Sequence, residues 1–259
     1  MDLGIAGRKA IVCASSRGLG KACARYLAEA GCEVVVNGRD GKTLEATAAE
    51  IVKATGGKVT AVVADVGTPD GQKALFAACP SPDILVNNNA GPPFRDFREL
   101  TRQQMIDGVT ANMVVAIELI QKVIGPMSQR KFGRIVNITS GSVKMPLAGL
   151  DLSSGARAGL TAFLAGVART VAADNITINN ILPGSFDTDR LRSNLKSNAQ
   201  KTGKTEDEAA KARIATIPAR RFGEPDEFGA ACAFLCSAQA GYITGQNLLI
   251  DGGVFNGAF

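Results

Sequence analysis

Short apolar runs rich in β-branched residues alternate with longer helical patterns along the whole chain, and that alternation leaves few folds open. Residues 9–14, 33–36, 58–63, 83–86, 133–139 and 176–181 read as buried strands. Helical patterns run to residue 30 and over 41–55, 69–78, 101–129 and 153–173, and 242–253 closes the chain as a last strand. A strand that meets the next only after a helix does not pair as a hairpin; the crossover returns it parallel. Parallel strands need cover on both faces. The chain therefore predicts an α/β fold: a doubly wound parallel sheet with helices on both faces. It is expected to form a single domain over 1–259, with neither linker nor repeat.

Composition narrows the function. With 259 residues, 46% hydrophobic and 20% charged, the chain can bury such a core. A net charge of +5 is mild and dispersed. It argues against a dedicated nucleic-acid binder and is compatible with an anionic cofactor or substrate. No consecutive apolar run approaches the roughly 18 residues of a membrane span, and no charged-then-apolar leader opens the chain. A cytoplasmic protein with no membrane partner is expected. Histidine is absent, which removes a histidine base, a Ser-His-Asp triad and any histidine-bound metal. No metal site is expected. Cys13, Cys23, Cys32, Cys79, Cys232 and Cys236 form no CxxC pair and read as small core residues.

Ser15-Ser16-Arg17-Gly18-Leu19-Gly20 lies between the first strand and its helix. A glycine turn there lets backbone approach a phosphate, and the helix N-terminus adds free N–H groups and a positive dipole end. A mere tight turn is the alternative; the place in a βαβ unit weighs against it. The second strand ends Asn37-Gly38-Arg39-Asp40. Dinucleotide folds put an acid about 20 residues past the glycines to take the ribose hydroxyls. Here Gly38 stands nearest that position and Arg39 follows. Arg17 can point at the same place, and two guanidiniums suit a 2′-phosphate. NADP(H) is expected rather than NAD. The competing reading leaves both arginines in solvent and gives the ribose to Asp40.

The stretch 135–160 carries the chemistry. The strand Ile135-Val-Asn-Ile-Thr ends in Ser140, and Ser153 and Arg157 share one face of the next helix. This stretch resembles the active-site segment of the short-chain dehydrogenase/reductase family. So do the glycine turn, Asn88-Asn89-Ala90-Gly91 and Tyr242-Ile-Thr-Gly-Gln-Asn-Leu-Leu-Ile-Asp-Gly-Gly253, and the resemblance spans essentially the whole chain, in particular to 3-oxoacyl-carrier-protein-reductase-like members. That family has a serine at a strand end and, thirteen residues on, a Tyr-x-x-x-Lys pair. The spacing is kept, but Ser153 stands for the tyrosine and Arg157 for the lysine. Cys13 and Ala14 likewise replace the Thr-Gly that opens the family's glycine turn.

The resemblance implies a Rossmann-like sheet of about seven strands and a homo-oligomer, a tetramer or dimer. It implies cofactor contacts from Ala14, Ser16, Arg17, Gly18, Leu19 and Gly20, and from Arg39. It places Asp65-Val66 at the adenine, Asn89-Ala90-Gly91 at its ribose, and Arg157, Pro183, Gly184 and Thr188 around the nicotinamide. Asn112 would hold a relay water, and 189–217 would be a mobile lid over a small-molecule substrate.

Carbonyl reduction needs a hydride and a proton. Ser153 is too short and too weak an acid to replace a tyrosine, and Arg157 keeps its proton. Cofactor binding is thus expected to survive while the standard acid is lost. An NADP(H)-dependent reductase with Ser140 on the carbonyl oxygen is the leading expectation. Lys144, in the loop after Ser140, is the candidate acid, its pKa lowered beside Arg157; otherwise it is a solvated loop charge. Two alternatives stay open: an NADP(H)-binding sensor or structural partner without redox activity, and an imine reductase or lyase-type activity on the same fold.

Overall fold

The computed structural model describes residues 2–258. Its strands are β1 (Lys9–Val12), β2 (Glu33–Gly38), β3 (Val59–Val63), β4 (Ile84–Asn87), β5 (Gly133–Ile138), β6 (Ile176–Pro183) and β7 (Asn247–Ile250). They form one parallel sheet in the order β3-β2-β1-β4-β5-β6-β7. The winding direction reverses between β1 and β4, and the carboxyl ends of the strands at such a switch point border a ligand crevice. The expected seven-stranded doubly wound sheet is the observed one.

The helices are α1 (Gly18–Glu29), α2 (Gly41–Thr55), α3 (Pro69–Ala78), α4 (Arg102–Val109), α5 (Val115–Arg130), α6 (Asp151–Val171), α7 (Asp189–Thr202), α8 (Glu206–Ala215) and α9 (Pro225–Leu235). Strand alternation splits the core in two. Ala10 and Val12 face α1, α2 and α9, where Leu27, Leu44 and Phe228 are buried. Ile11 and Cys13 face the other layer, where Leu75, Leu119 and Leu164 fill the space under α3, α5 and α6. All six cysteines are free and buried in these layers, as core residues should be.

The helical pattern expected over 101–129 is interrupted. Between α4 and α5, Thr110–Val114 forms one π-helical turn, a local widening that often accompanies a functional site. The combined stretch Arg102–Arg130 is long and apolar enough by length and composition to cross a membrane, which a count of consecutive apolar residues overlooks. Its apolar stripe, Val115, Leu119, Val123 and Met127, is instead buried against the sheet.

One polar feature crosses the sheet. Asn87, Asn137, Asn180 and Asn247 stand at the same level of β4, β5, β6 and β7. Asn87 Nδ2 donates to Asn137 Oδ1 at 2.9 Å, Asn137 Nδ2 to Asn180 Oδ1 at 3.1 Å, and Asn180 Nδ2 to Asn247 Oδ1 at 2.8 Å. A buried amide is tolerated only when paired, so this ladder penalises any slip of register among the strands that carry the site.

Candidate active site

The glycine turn is held from beneath. Ser15 Oγ donates to Val12 O at 2.7 Å and accepts from the Asn37 N–H at 2.9 Å. Ala14 adopts a left-handed φ of 44°, where the family has glycine. Its carbonyl accepts from Asn88 Nδ2 at 3.0 Å, which pins the turn to the end of β4. A Cβ at Gly20 would lie 2.5 Å from that carbonyl, so no side chain fits there. Arg17 precedes α1 and makes no capping bond, so the first N–H groups of the helix have no side-chain acceptor. Thr188 lies over the turn: its Cγ2 is 3.5 Å from where a Gly18 Cβ would be.

Ser140 ends the segment after β5 and shapes the next turn. Its Oγ accepts from the Ser142 N–H at 3.1 Å and from the Ser142 hydroxyl at 2.9 Å. With two donors on its oxygen, the Ser140 hydroxyl keeps its own proton for a ligand. Ser153 and Arg157 come from the first two turns of α6, and both are buried. Arg157 Nη1 donates to the carbonyls of Ile138 at 2.7 Å and Thr139 at 3.0 Å, and Nη2 to Asn89 O at 3.4 Å. The cation thus laces the end of β5 to the loop after β4. Burial, and then the nearby charge of Arg190, push its pKa down to about 10.

Asn112 lies in the π-helical turn. Its Nδ2 donates to Gly108 O at 3.1 Å, and Ala111 O accepts from Asn89 Nδ2 at 3.0 Å. The Oδ1 atoms of Asn112 and Asn87 have no protein partner among the described residues. A cavity of about 20 Å³ lies among Asn87, Asn112, Asn137 and Arg157, roomy and polar enough for one water.

A larger cleft of about 300 Å³ opens beside it. Ser140, Ser142, Ser153, Arg157, Gly184 and Thr188 border it, with Leu19, Asn89, Gly91 and Pro183. The structure therefore brings these expected site residues together. Arg190, Leu191 and Asn194 of α7 and Arg213 of α8 complete the rim. Lys144 does not join them. It is exposed, with Nζ 5.4 Å from the centre of the Phe255 ring, and no carboxyl or catalytic group pairs with it among the described residues. A flexible ammonium turned to solvent has nothing to hold it at Ser140. Ala90 borders a neighbouring hollow with Pro93 and Leu152, and Val66 is buried in the core.

The residues expected around the adenosine fit an NADP(H) molecule. A Cβ at Gly38 would come within 3.1 Å of Ser16 Cβ, so the position normally held by an acid is both neutral and closely packed. Asp40 is engaged in the fold: its carboxylate caps α2 through the Thr43 N–H at 2.8 Å. Arg39 stands 3.8 Å from Asp65, and Arg17 lies 3.9 Å from Asp189. All four side chains are largely exposed, and such surface pairs hold weakly, which leaves both guanidiniums free to meet a phosphate.

Sequence reasoning missed Ser142, Arg190, Arg213 and the asparagine ladder. Only the ladder left a signal, an amide recurring in otherwise apolar strands.

The chain is similar to known proteins along nearly its whole length. A family model described as enoyl-(acyl carrier protein) reductase matches residues 13–255. The chain is 31% identical over 257 residues to the 3-oxoacyl-[acyl-carrier-protein] reductase FabG of Vibrio cholerae, covering 98% of this chain and 99% of that protein. It is 31% identical over 251 residues to the NADPH-dependent reductase BacG of Bacillus subtilis, covering 95% and 97%. L-sorbose reductase from Gluconobacter frateurii, solved with NADPH and L-sorbose, superposes with a TM-score of 0.93 at 28% identity, covering 99% of this chain and 100% of that one.

Proposed function

The chain belongs to the short-chain dehydrogenase/reductase family of oxidoreductases, and from that premise we propose that it is an NADP(H)-dependent reductase of a carbonyl compound. The glycine turn and α1 hold the pyrophosphate, Arg17 and Arg39 the 2′-phosphate, and Asp65 the adenine. Gly91, Pro183, Gly184 and Thr188 shape the nicotinamide end. When bound, NADPH supplies a hydride to the carbonyl carbon. The C=O π bond becomes one C–H and one O–H bond, and the proton for oxygen comes from water.

The protein's part is at that oxygen. Ser140, its oxygen already engaged by Ser142, donates to the carbonyl oxygen. Arg157 is a fixed positive charge behind it, an electrostatic aid that does not depend on proton transfer. Ser140 holds the oxygen through its hydrogen bond, and water in the cleft supplies the proton and leaves as hydroxide to the bulk. Lys144 has no part in this scheme, since it faces solvent. Helices α7 and α8, within 189–217, act as the lid, and the chain works as one domain. Homo-oligomerisation belongs to the same proposal, supported by exposed Met105, Ile106, Val109, Val114 and Phe163 along α4 to α6.

The observation that carries the reading is the convergence of Ser140, Ser153 and Arg157 with Gly184 and Thr188 on one cleft. The test is transfer of label from NADPH deuterated at its transferable position. Deuterium on the carbinol carbon of a reduced ketone supports the reading. Bound NADPH and no label in any product would leave a cofactor-binding protein without redox activity.

A further inference from the structure

The cleft beside Ser140 holds more positive charge than carbonyl reduction uses. Arg157, Arg190 and Arg213 all border it. None of them enters an ion pair among the described residues, whereas Arg17, Arg25, Arg39, Arg98, Arg192 and Arg221 do. Asp251 is the only acid on the lining among the described residues. Its carboxylate is taken by the N–H groups of Gly253 and Phe255, each at 2.8 Å.

Two of the three arginines come from α7 and α8. Arg190, in the first turn of α7, donates to Gly91 O at 3.3 Å. A Cβ on Gly91 would lie 3.2 Å from Arg190 Nη2 and 3.6 Å from Arg157 Nη2, so two cations lean on one glycine. Arg213 reaches down from α8, and its Nε donates to Ser185 Oγ at 3.1 Å. That bond fixes the guanidinium plane and leaves both terminal nitrogens for a ligand. Across the cleft the wall is apolar: Phe94, Met145, Leu147, Leu150, Val254 and Phe255. Ser16, Arg17 and Gly18 of the glycine turn border a separate groove with Thr43, and only Leu19 of that turn lines this cleft, with Thr188 common to both.

We propose that the cleft is built for a carboxylate-bearing substrate, an oxo acid with an apolar tail, whose carboxylate lies between Arg190 and Arg213. A planar guanidinium matches a carboxylate bidentately, and an anion here relieves the repulsion among three like charges. The tail covers the apolar wall while the carbonyl oxygen meets Ser140. This rests on the reductase reading, and the test separates the two.

3-Phenylpropionate and its methyl ester are titrated calorimetrically into the protein saturated with NADP⁺. In parallel, kcat/KM is measured for 2-, 3- and 4-oxo acids with phenyl tails and for their methyl esters. The acid should bind at least about tenfold more tightly than the ester, and Arg213→Gln should weaken the acid by about ten- to a hundredfold. Arg213→Lys should fall between, because it keeps charge and loses the fork. The acid-to-ester ratio of kcat/KM should collapse in Arg213→Gln. Equal binding of acid and ester would overturn the proposal. So would an Arg213→Gln variant whose NADPH affinity falls as much as its acid affinity, since Arg213 would then be a cofactor ligand. Arg213-dependent acid binding without turnover of any oxo acid would support the carboxylate site and sink the reductase reading instead.

Discussion

The Ser142 hydroxyl donates to the Ser140 hydroxyl oxygen across 2.9 Å, and the Ser142 N–H reaches the same oxygen at 3.1 Å. This arrangement aims a proton into the cleft without a tyrosine. Ser140→Ala is expected to lower kcat by about 10²–10³, the usual cost of losing a donor at a developing oxyanion. Ser142→Ala should cost about tenfold, one neutral hydrogen bond's worth of alignment. Lys144→Met should change kcat by less than about threefold, set against the 10²–10⁴ of a true general acid. Steady-state kinetics with a cofactor titration on each variant check all three; a hundredfold loss in Lys144→Met would return the acid to that loop.

Arg157 gives a pH signature. Its folded pKa is depressed to about 10, chiefly by burial. The charged form is therefore the one the fold disfavours: its cost is fully present at neutral pH and is relieved as pH rises through 10. Activity runs the other way, because the oxyanion loses its counter-charge. The kcat profile should carry no Arg157 inflection between pH 6 and 9 and should fall above pH 10. An Arg157→Met variant showing the same alkaline fall would assign it to another group.

The asparagine ladder gives a stability prediction. Asn137 and Asn180 each bond to both neighbours through their side chains, and Asn137 is the one whose two neighbours are both buried. Asn137→Leu strands Asn180 Oδ1 in the interior and leaves Asn87 Nδ2 with only a long bond to Ala116 O at 3.4 Å. At about 1–3 kcal/mol for each group so affected, the loss should be roughly 3 kcal/mol. For a chain of this size that corresponds to a fall in Tm of ~10 °C, read by calorimetry. A fall under ~2 °C would show that the ladder contributes nothing to the fold.

Cofactor choice rests on Arg39 beside a neutral Gly38. Arg39→Ala should weaken NADPH by about ten- to a hundredfold, a charged hydrogen bond's worth, and NADH by much less. Fluorescence titration of both nucleotides decides it, and equal losses would remove the phosphate contact.

The fold was legible because its signals are periodic and local. Apolar strands, helical stripes and a glycine turn each specify their own segment, and their alternation specifies the sheet. The break at Thr110–Val114 was not legible, because a π turn adds one residue to a helix without changing its composition. At the site, Ser140, Ser153 and Arg157 were found through their spacing, which survives substitution. Ser142 was not, since a second serine in a small-residue loop has no distinguishing pattern. Arg190 and Arg213 were hidden in a polar, charged stretch, where only the packing of α7 and α8 over the cleft sets them apart from solvated arginines. Lys144 was the converse case: near in sequence to Ser140, but exposed just after the short helical turn Gly141–Val143, beside the Phe255 ring.

The most direct test of a tyrosine-free reductase is NADPH oxidation by the purified protein over ketones, oxo acids, 3-oxoacyl thioesters and cyclic imines. It is run beside Ser140→Ala and the double variant Ser153→Tyr/Arg157→Lys. The account predicts carbonyl turnover by the natural chain, its loss in Ser140→Ala, and a gain of up to about a hundredfold in the double variant, where a standard acid is restored. Tight NADPH binding with no turnover of any carbonyl by the natural chain would contradict it.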